Sequence, residues 1–113
     1  MSELHRNFIG GEWVAGEGIP NVNPSNTHEV VGFYARASAD DAQAAIAAAR
    51  DASHAWSRSG IQQRHDILKA ASDEIFRRRE EIGRLLAREE GKTFAEATAE
   101  ATRGARIFDF FAG

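Results

Sequence analysis

The sequence predicts an α/β fold with N-terminal β-hairpins over residues 1–37 and about four helices over residues 38–113. Both prolines and most of the turn-forming residues lie before Ser38. After Ser38, apolar residues recur at spacings of three and four, which is the period of an amphipathic helix. The same part is rich in alanine, the strongest helix former. We interpret the two ranges as parts of one incomplete domain.

The first predicted element is a β-hairpin over Phe8–Val14. Two short apolar strands flank Gly10 and Gly11, and a glycine pair can take the positive φ angles that a two-residue turn requires. The hairpin leads into Gly16–Gly18, which we interpret as a loose connection because of its two glycines.

A turn and a further strand complete the predicted β-rich part. Asn23–Thr27 is a turn candidate, because proline presets φ and the Asn and Ser side chains bond nearby backbone. Glu29–Ala35 is a strand candidate rich in β-branched and aromatic residues. Within it, Gly32 indicates a bulge or a point of close packing.

Capping residues predict where the helices begin and end. Ser38 supplies a hydroxyl cap and Asp40 and Asp41 place negative charge at the positive end of the first helix dipole. Residues 57–60 interrupt the helical period, so a second helix begins after them. Gly91 ends a third helix, in which Ile82, Leu85 and Leu86 are the apolar residues.

The last predicted helix begins with a capping box, formed by Thr93 and Glu96. Each helix should bury one apolar face against another element. The faces predicted for the first, second and fourth helices comprise Ala42, Ala45, Ile46, Ala49, Ala52 and Trp56; Ile61, Leu68, Ala71 and Ile75; and Phe94, Ala97, Ala101, Ala105, Phe108 and Phe111 or Ala112.

Composition and charge exclude several classes of protein. The net charge of −3 lacks the basic footprint that nucleic-acid binding requires, and Arg77–Arg79 is followed at once by two glutamates, as on a solvated helix face. The longest apolar run, Ala44–Ala49, is far shorter than the roughly 20 residues of a membrane span. The N-terminus lacks the pattern of a secretion signal. With no cysteine in the sequence, we expect a cytoplasmic protein with neither a nucleic-acid nor a membrane partner.

No residue pattern in the chain predicts a catalytic, cofactor-binding or metal-binding site. The four histidines are scattered through different elements without metal-ligand spacing. Paired carboxylates lie at helix ends or on charged faces, where they serve the helix dipole and solubility. Trp13 and Trp56 are interpreted as packing anchors.

The chain ends in its most aromatic stretch, Ile107–Gly113. Several apolar side chains at a terminus cost a few kcal/mol of exposed surface unless they are covered. We therefore favour a segment of a larger protein. Three alternatives stay open: a small helical domain whose last helix docks back on itself, a non-enzymatic binding or assembly module that forms homo-oligomers, and a regulatory paralogue that retains only this part.

Six blocks of sequence resemble, in order and spacing, the N-terminal part of NAD(P)-dependent aldehyde dehydrogenases. No single block is specific, but six of them in register are a strong signal. The blocks are Asn7–Trp13, Val22–Thr27, Ala48–Trp56, Gln63–Leu68, Glu90–Ala97 and Phe110–Gly113.

The resemblance implies a parent chain of several hundred residues that oxidises an aldehyde with NAD or NADP. In that family a cysteine thiolate attacks the carbonyl, a hydride passes to the nicotinamide, and a glutamate-activated water hydrolyses the thioester. The cysteine, the glutamate, the oxyanion-hole asparagine and the dinucleotide-binding loops lie beyond the counterpart of Gly113. The resemblance therefore assigns no catalytic, cofactor-binding or metal-binding residue to this chain, and implies that the segment alone binds no cofactor and is inactive.

The resemblance also implies the architecture and partners of the segment. Its hairpins and helices would belong to a Rossmann-like cofactor-binding domain, completed by the remainder of the parent chain, in an enzyme expected to be a homo-oligomer. Some family members bind a monovalent cation near positions that match the Val22 backbone and the Glu100 side chain. The segments Asn7–Val14, Val30–Gly32 and Arg88–Thr93 look nearest to bacterial semialdehyde dehydrogenases, such as the α-ketoglutaric semialdehyde group.

Overall fold

The computed structural model describes residues 3–113 and confirms the α/β prediction. In this part of the chain, five short strands precede four helices. The elements are β1 (Leu4–His5), β2 (Asn7–Ile9), β3 (Glu12–Val14), β4 (Glu17–Val22), β5 (Val30–Arg36), α1 (Ala39–Arg58), α2 (Ile61–Arg77), α3 (Arg79–Glu90) and α4 (Phe94–Ala112).

The chain divides into two compact units. The first contains the residues up to Val22 together with His28–Arg58, and the second contains Asn23–Thr27 together with Ser59–Gly113. The boundary after Arg58 places α1 with the strands, whereas the change in composition falls near Ser38. The division into 1–37 and 38–113 stays a prediction.

Two small sheets form the β part of the first unit. In one sheet β5 is central, with β1 parallel to it on one side and β4 antiparallel on the other. The other sheet is the predicted hairpin of β2 and β3, with Phe8 opposite Trp13. Gly10 and Gly11 have φ angles of 60° and 84°, so the turn has the positive φ angles from which the glycine pair predicted it.

The loose connection predicted at Gly16–Gly18 is wrong, because β4 begins at Glu17. Glu17 and Gly18 pair with Arg36 and Ala35 of β5. The two glycines allow the backbone to lie close to neighbouring residues. A Cβ at Gly16 would lie 2.6 Å from the Arg36 carbonyl oxygen, and one at Gly18 would lie 3.1 Å from the Leu4 side chain.

The predicted role of Gly32 is confirmed. Asn21 pairs with Gly32 whereas Val22 pairs with Val30, so Val31 forms a bulge beside the glycine. Gly32 is also buried, and a Cβ there would lie 3.2 Å from the Tyr34 ring.

Helix α1 begins where its cap predicts, but its predicted buried stripe is wrong. The Asp41 N–H donates to the Ser38 hydroxyl over 3.1 Å, and the Asp41 carboxylate accepts from the Ser38 N–H over 2.8 Å. No α1 residue is buried in the described chain, and Ile46 and Trp56 are 61% and 42% exposed. Within its own unit α1 packs beside β2 of the β2–β3 hairpin, and most of its apolar side chains stay exposed in the described chain.

In the second unit, α4 packs against both α2 and α3 through small side chains. Among the described residues, the buried hydrophobic side chains are all alanines of α4: Ala97, Ala101, Ala105 and Ala112. This confirms the alanines of the predicted α4 face, but the burial predicted for its aromatic residues is wrong, because Phe94, Phe108 and Phe111 are exposed. On α2, Leu68, Ala71 and Ile75 are half-buried as expected, but the burial predicted for Ile61 is wrong, because this first residue of the helix is exposed.

Close helix contacts are made where side chains are small or polar groups are paired. Gly83 of α3 is buried against Thr98 of α4, whose Oγ1 is buried and has no hydrogen-bond partner among residues 3–113. The buried Ser72 hydroxyl of α2 donates to the Ala105 carbonyl over 2.9 Å.

The ends of α3 and α4 confirm the capping predictions. Gly91 has φ of 70° and its N–H donates to the Ala87 carbonyl. Thr93 and Glu96 form the complete capping box at the start of α4. The predicted turn at Asn23–Thr27 is closed by the Asn26 N–H, which donates to the Asn23 carbonyl over 3.1 Å.

Candidate functional site

The histidines lie apart in the structure and contact local groups. The His5 ring stacks on Tyr34, with 4.7 Å between ring centroids. The His65 Nδ1 lies 2.9 Å from the Ala112 carbonyl oxygen, which can only accept, so Nδ1 is the donor. His28 and His54 are exposed. Residues 3–113 contain no cluster of three or more His, Asp or Glu side chains that could hold a metal ion.

The three consecutive arginines lie on an exposed surface and pair with acidic neighbours. Arg77 makes two hydrogen bonds to the Glu74 carboxylate, of 2.9 and 2.6 Å, and Arg78 binds Glu81 in the same way. These bonds lower the pKa of both carboxyls. The Arg79 guanidinium lies over the Phe76 ring, 4.4 Å from its centroid. The cluster is therefore largely neutralised by its own neighbours, as on a solvated helix face.

A groove of about 590 Å³ runs between α2 and α4. Lys69 lies at its edge, with Nζ 2.8 Å from Asp73 and 3.1 Å from Asp109. Hydrogen bonds to these carboxylates, first of all to Asp73, raise the pKa of Lys69. The ammonium therefore stays charged and paired, and cannot act as a neutral base near pH 7.

A second cluster of charges surrounds Lys92, between α3 and α4. Its Nζ lies 2.6 Å from Glu100 and 2.5 Å from Glu90. These contacts raise the pKa of Lys92, and the hydrogen bond to Glu100 is the largest cause. Glu100 is thus already paired with an ammonium group. Val22 is the last residue of β4, and the cation site that matches Val22 and Glu100 stays a prediction.

Aromatic side chains are the most conspicuous exposed groups. At the end of α4, Phe110 and Phe111 are 77% and 70% exposed and pack edge to face against each other, 5.2 Å apart. Trp13 is exposed and contacts Phe8 across the β2–β3 hairpin, with ring centroids 4.8 Å apart. Trp13 and Trp56, interpreted from the sequence as packing anchors, are not buried within the described chain.

Sequence reasoning missed two tertiary interactions. The signal for Ser72 was available, because its position falls on the same helical face as Leu68, Ala71 and Ile75. A serine on that face needs a buried acceptor, and the Ala105 carbonyl supplies it. The pairing of Lys92 with Glu100 carried no such signal, since it depends on how the turn before α4 is folded.

Residues 3–113 thus show caps, ion pairs and packing contacts, together with exposed apolar side chains. No helix within residues 3–113 is both long and apolar enough to cross a membrane. Three of the side chains that could act as acids, bases or ligands, His65, Lys69 and Lys92, make local contacts with neighbouring groups.

Comparison with known proteins gives a consistent picture. The model of the aldehyde dehydrogenase family matches residues 13–113. The alpha-ketoglutaric semialdehyde dehydrogenase of Bacillus subtilis is 36% identical over 95% of this chain and 22% of its own length. The alpha-ketoglutarate semialdehyde dehydrogenase of Haloferax volcanii is 36% identical over 98% of this chain and 24% of its own.

The fold matches solved structures equally well. The crystal structure of betaine aldehyde dehydrogenase from Staphylococcus aureus in complex with NAD+ superimposes with a TM-score of 0.90 at 33% identity. The match covers 96% of this chain and 22% of that chain. The present chain therefore spans less than a quarter of the length of these relatives.

Proposed function

The chain belongs to the aldehyde dehydrogenase family, and we propose that it forms the N-terminal segment of an enzyme that oxidises an aldehyde or semialdehyde to a carboxylic acid. The family match over residues 13–113 carries this proposal. The superposition on a relative in complex with NAD+, over 96% of the chain, supports the same assignment. We propose NAD as the cofactor, with NADP as the alternative.

The role proposed for the segment within that enzyme is structural. The chain has no cysteine and so cannot supply a thiolate nucleophile. Its α2–α4 unit is instead built from small-residue packing and local ion pairs. We infer that the segment completes the cofactor-binding domain and that the remainder of the enzyme supplies the reacting groups.

The substrate class we propose is a semialdehyde, with α-ketoglutaric semialdehyde as the first compound to test. The names of the Bacillus subtilis and Haloferax volcanii relatives support this choice. Each of them matches almost the whole of this chain.

The test is a turnover assay with two proteins. The complete polypeptide that contains this segment should reduce NAD+ when α-ketoglutaric semialdehyde is added, and NADH formation measures the rate. The 113-residue chain by itself should give no turnover under the same conditions. Activity of the 113-residue chain alone would contradict the structural role, and inactivity of the complete polypeptide with every semialdehyde and both cofactors would contradict the enzyme assignment.

A non-enzymatic assembly module is the competing function, and the exposed Phe110 and Phe111 favour it. It predicts that the 113-residue chain is a compact homo-oligomer that melts cooperatively. Analytical ultracentrifugation at low concentration distinguishes it from an incomplete domain, which would aggregate or lack fixed packing.

For the complete enzyme we also propose a homo-oligomer in the cytoplasm. Sedimentation tests the oligomeric state, and cell fractionation tests the location.

A further inference from the structure

We draw no further inference here: the strongest candidate, the charged groove between α2 and α4 around Lys69 and Arg106, carries nothing, because Lys69 is already held by Asp73 and Asp109 and nothing in the structure shows what covers the groove.

Discussion

Replacing Gly83 by alanine is expected to destabilise the α3–α4 contact, although alanine is the better helix former. The new Cβ would lie 2.5 Å from Thr98 Oγ1 and 3.0 Å from both the Cα and the N of Thr98. The hydroxyl could rotate, but the backbone atoms belong to the second turn of α4 and cannot move independently. The two helices would have to separate.

Two opposing contributions set the size of the effect. Replacing an interior glycine by alanine stabilises a helix by about 1 kcal/mol. Overpacking a well-filled contact costs about 1–3 kcal/mol, and a clash with backbone belongs to the upper part of that range. We therefore expect Gly83→Ala to lower the free energy of unfolding by about 1–2 kcal/mol.

The assay is urea unfolding of the complete polypeptide that contains this segment, followed by far-ultraviolet circular dichroism. Gly104→Ala is the matched control, because it makes the same change in α4 where no atom of the described chain opposes the new methyl group. It should raise stability by about 1 kcal/mol. If both variants gained the same stability, the close contact between Gly83 and Thr98 would be refuted.

Three further substitutions probe the second unit, each followed by urea unfolding. Thr93→Ala removes the α4 cap and should cost about 1 kcal/mol. The Thr93 hydroxyl and N–H lower the pKa of Glu96 from 4.5, so the stability linked to Glu96 is present above pH 4.5 and is lost as the pH falls through the pKa of the folded state. If the free energy of unfolding of Thr93→Ala fell with decreasing pH as in the wild type, this linkage would be contradicted. Ser72→Ala removes the buried hydroxyl that bonds a carbonyl of α4 and should cost about 1 kcal/mol, with Ser72→Thr as the variant that keeps the donor; equal stability of Ser72→Ala and wild type would refute the bond's contribution. Gly91→Ala forces a left-handed conformation on alanine and brings a Cβ within 2.5 Å of the Ser25 hydroxyl, so it should cost at least about 1–2 kcal/mol, and a neutral result would exclude that conformation.

Local chemistry explains why the helix ends were predictable. The cap of Ser38 on α1, the left-handed Gly91 and the box of Thr93 with Glu96 each involve residues at most four apart. Such interactions form within a single turn, whatever the rest of the chain does. The hairpin at Gly10 and Gly11 is local in the same sense.

Contacts between residues that are distant in the sequence explain which predictions of the fold were missing or wrong. β1 pairs with β5, which is almost thirty residues away, as in the register of Leu4 with Phe33. A strand of two residues is too short for its sequence to indicate which other strand it pairs with. The stripe of α1 failed for a related reason: periodicity shows which face is apolar but does not supply the element that would bury Ile46 and Trp56.

The predictions about the candidate site came from two sources, the individual residues and the family resemblance. The residues predicted no catalytic cluster, and the family resemblance of six blocks supplied the enzyme class that the family match then supported. The ion pair of Lys92 with Glu100 could not be anticipated, because it depends on how the turn between α3 and α4 is folded.

The turn at Asn23–Thr27 has a practical consequence for dissecting the protein. This turn lies in the sequence between β4 and β5, yet it belongs to the helical unit, where the Ser25 hydroxyl donates to the Gly91 carbonyl over 2.6 Å. The helical unit is therefore discontinuous along the chain. A single cleavage after Arg58 would release a C-terminal piece that lacks the Ser25 hydroxyl, so limited proteolysis there cannot yield an intact helical unit. A chain in which Asn23–Thr27 is joined by a linker to Ser59–Gly113 would be needed to study that unit in isolation.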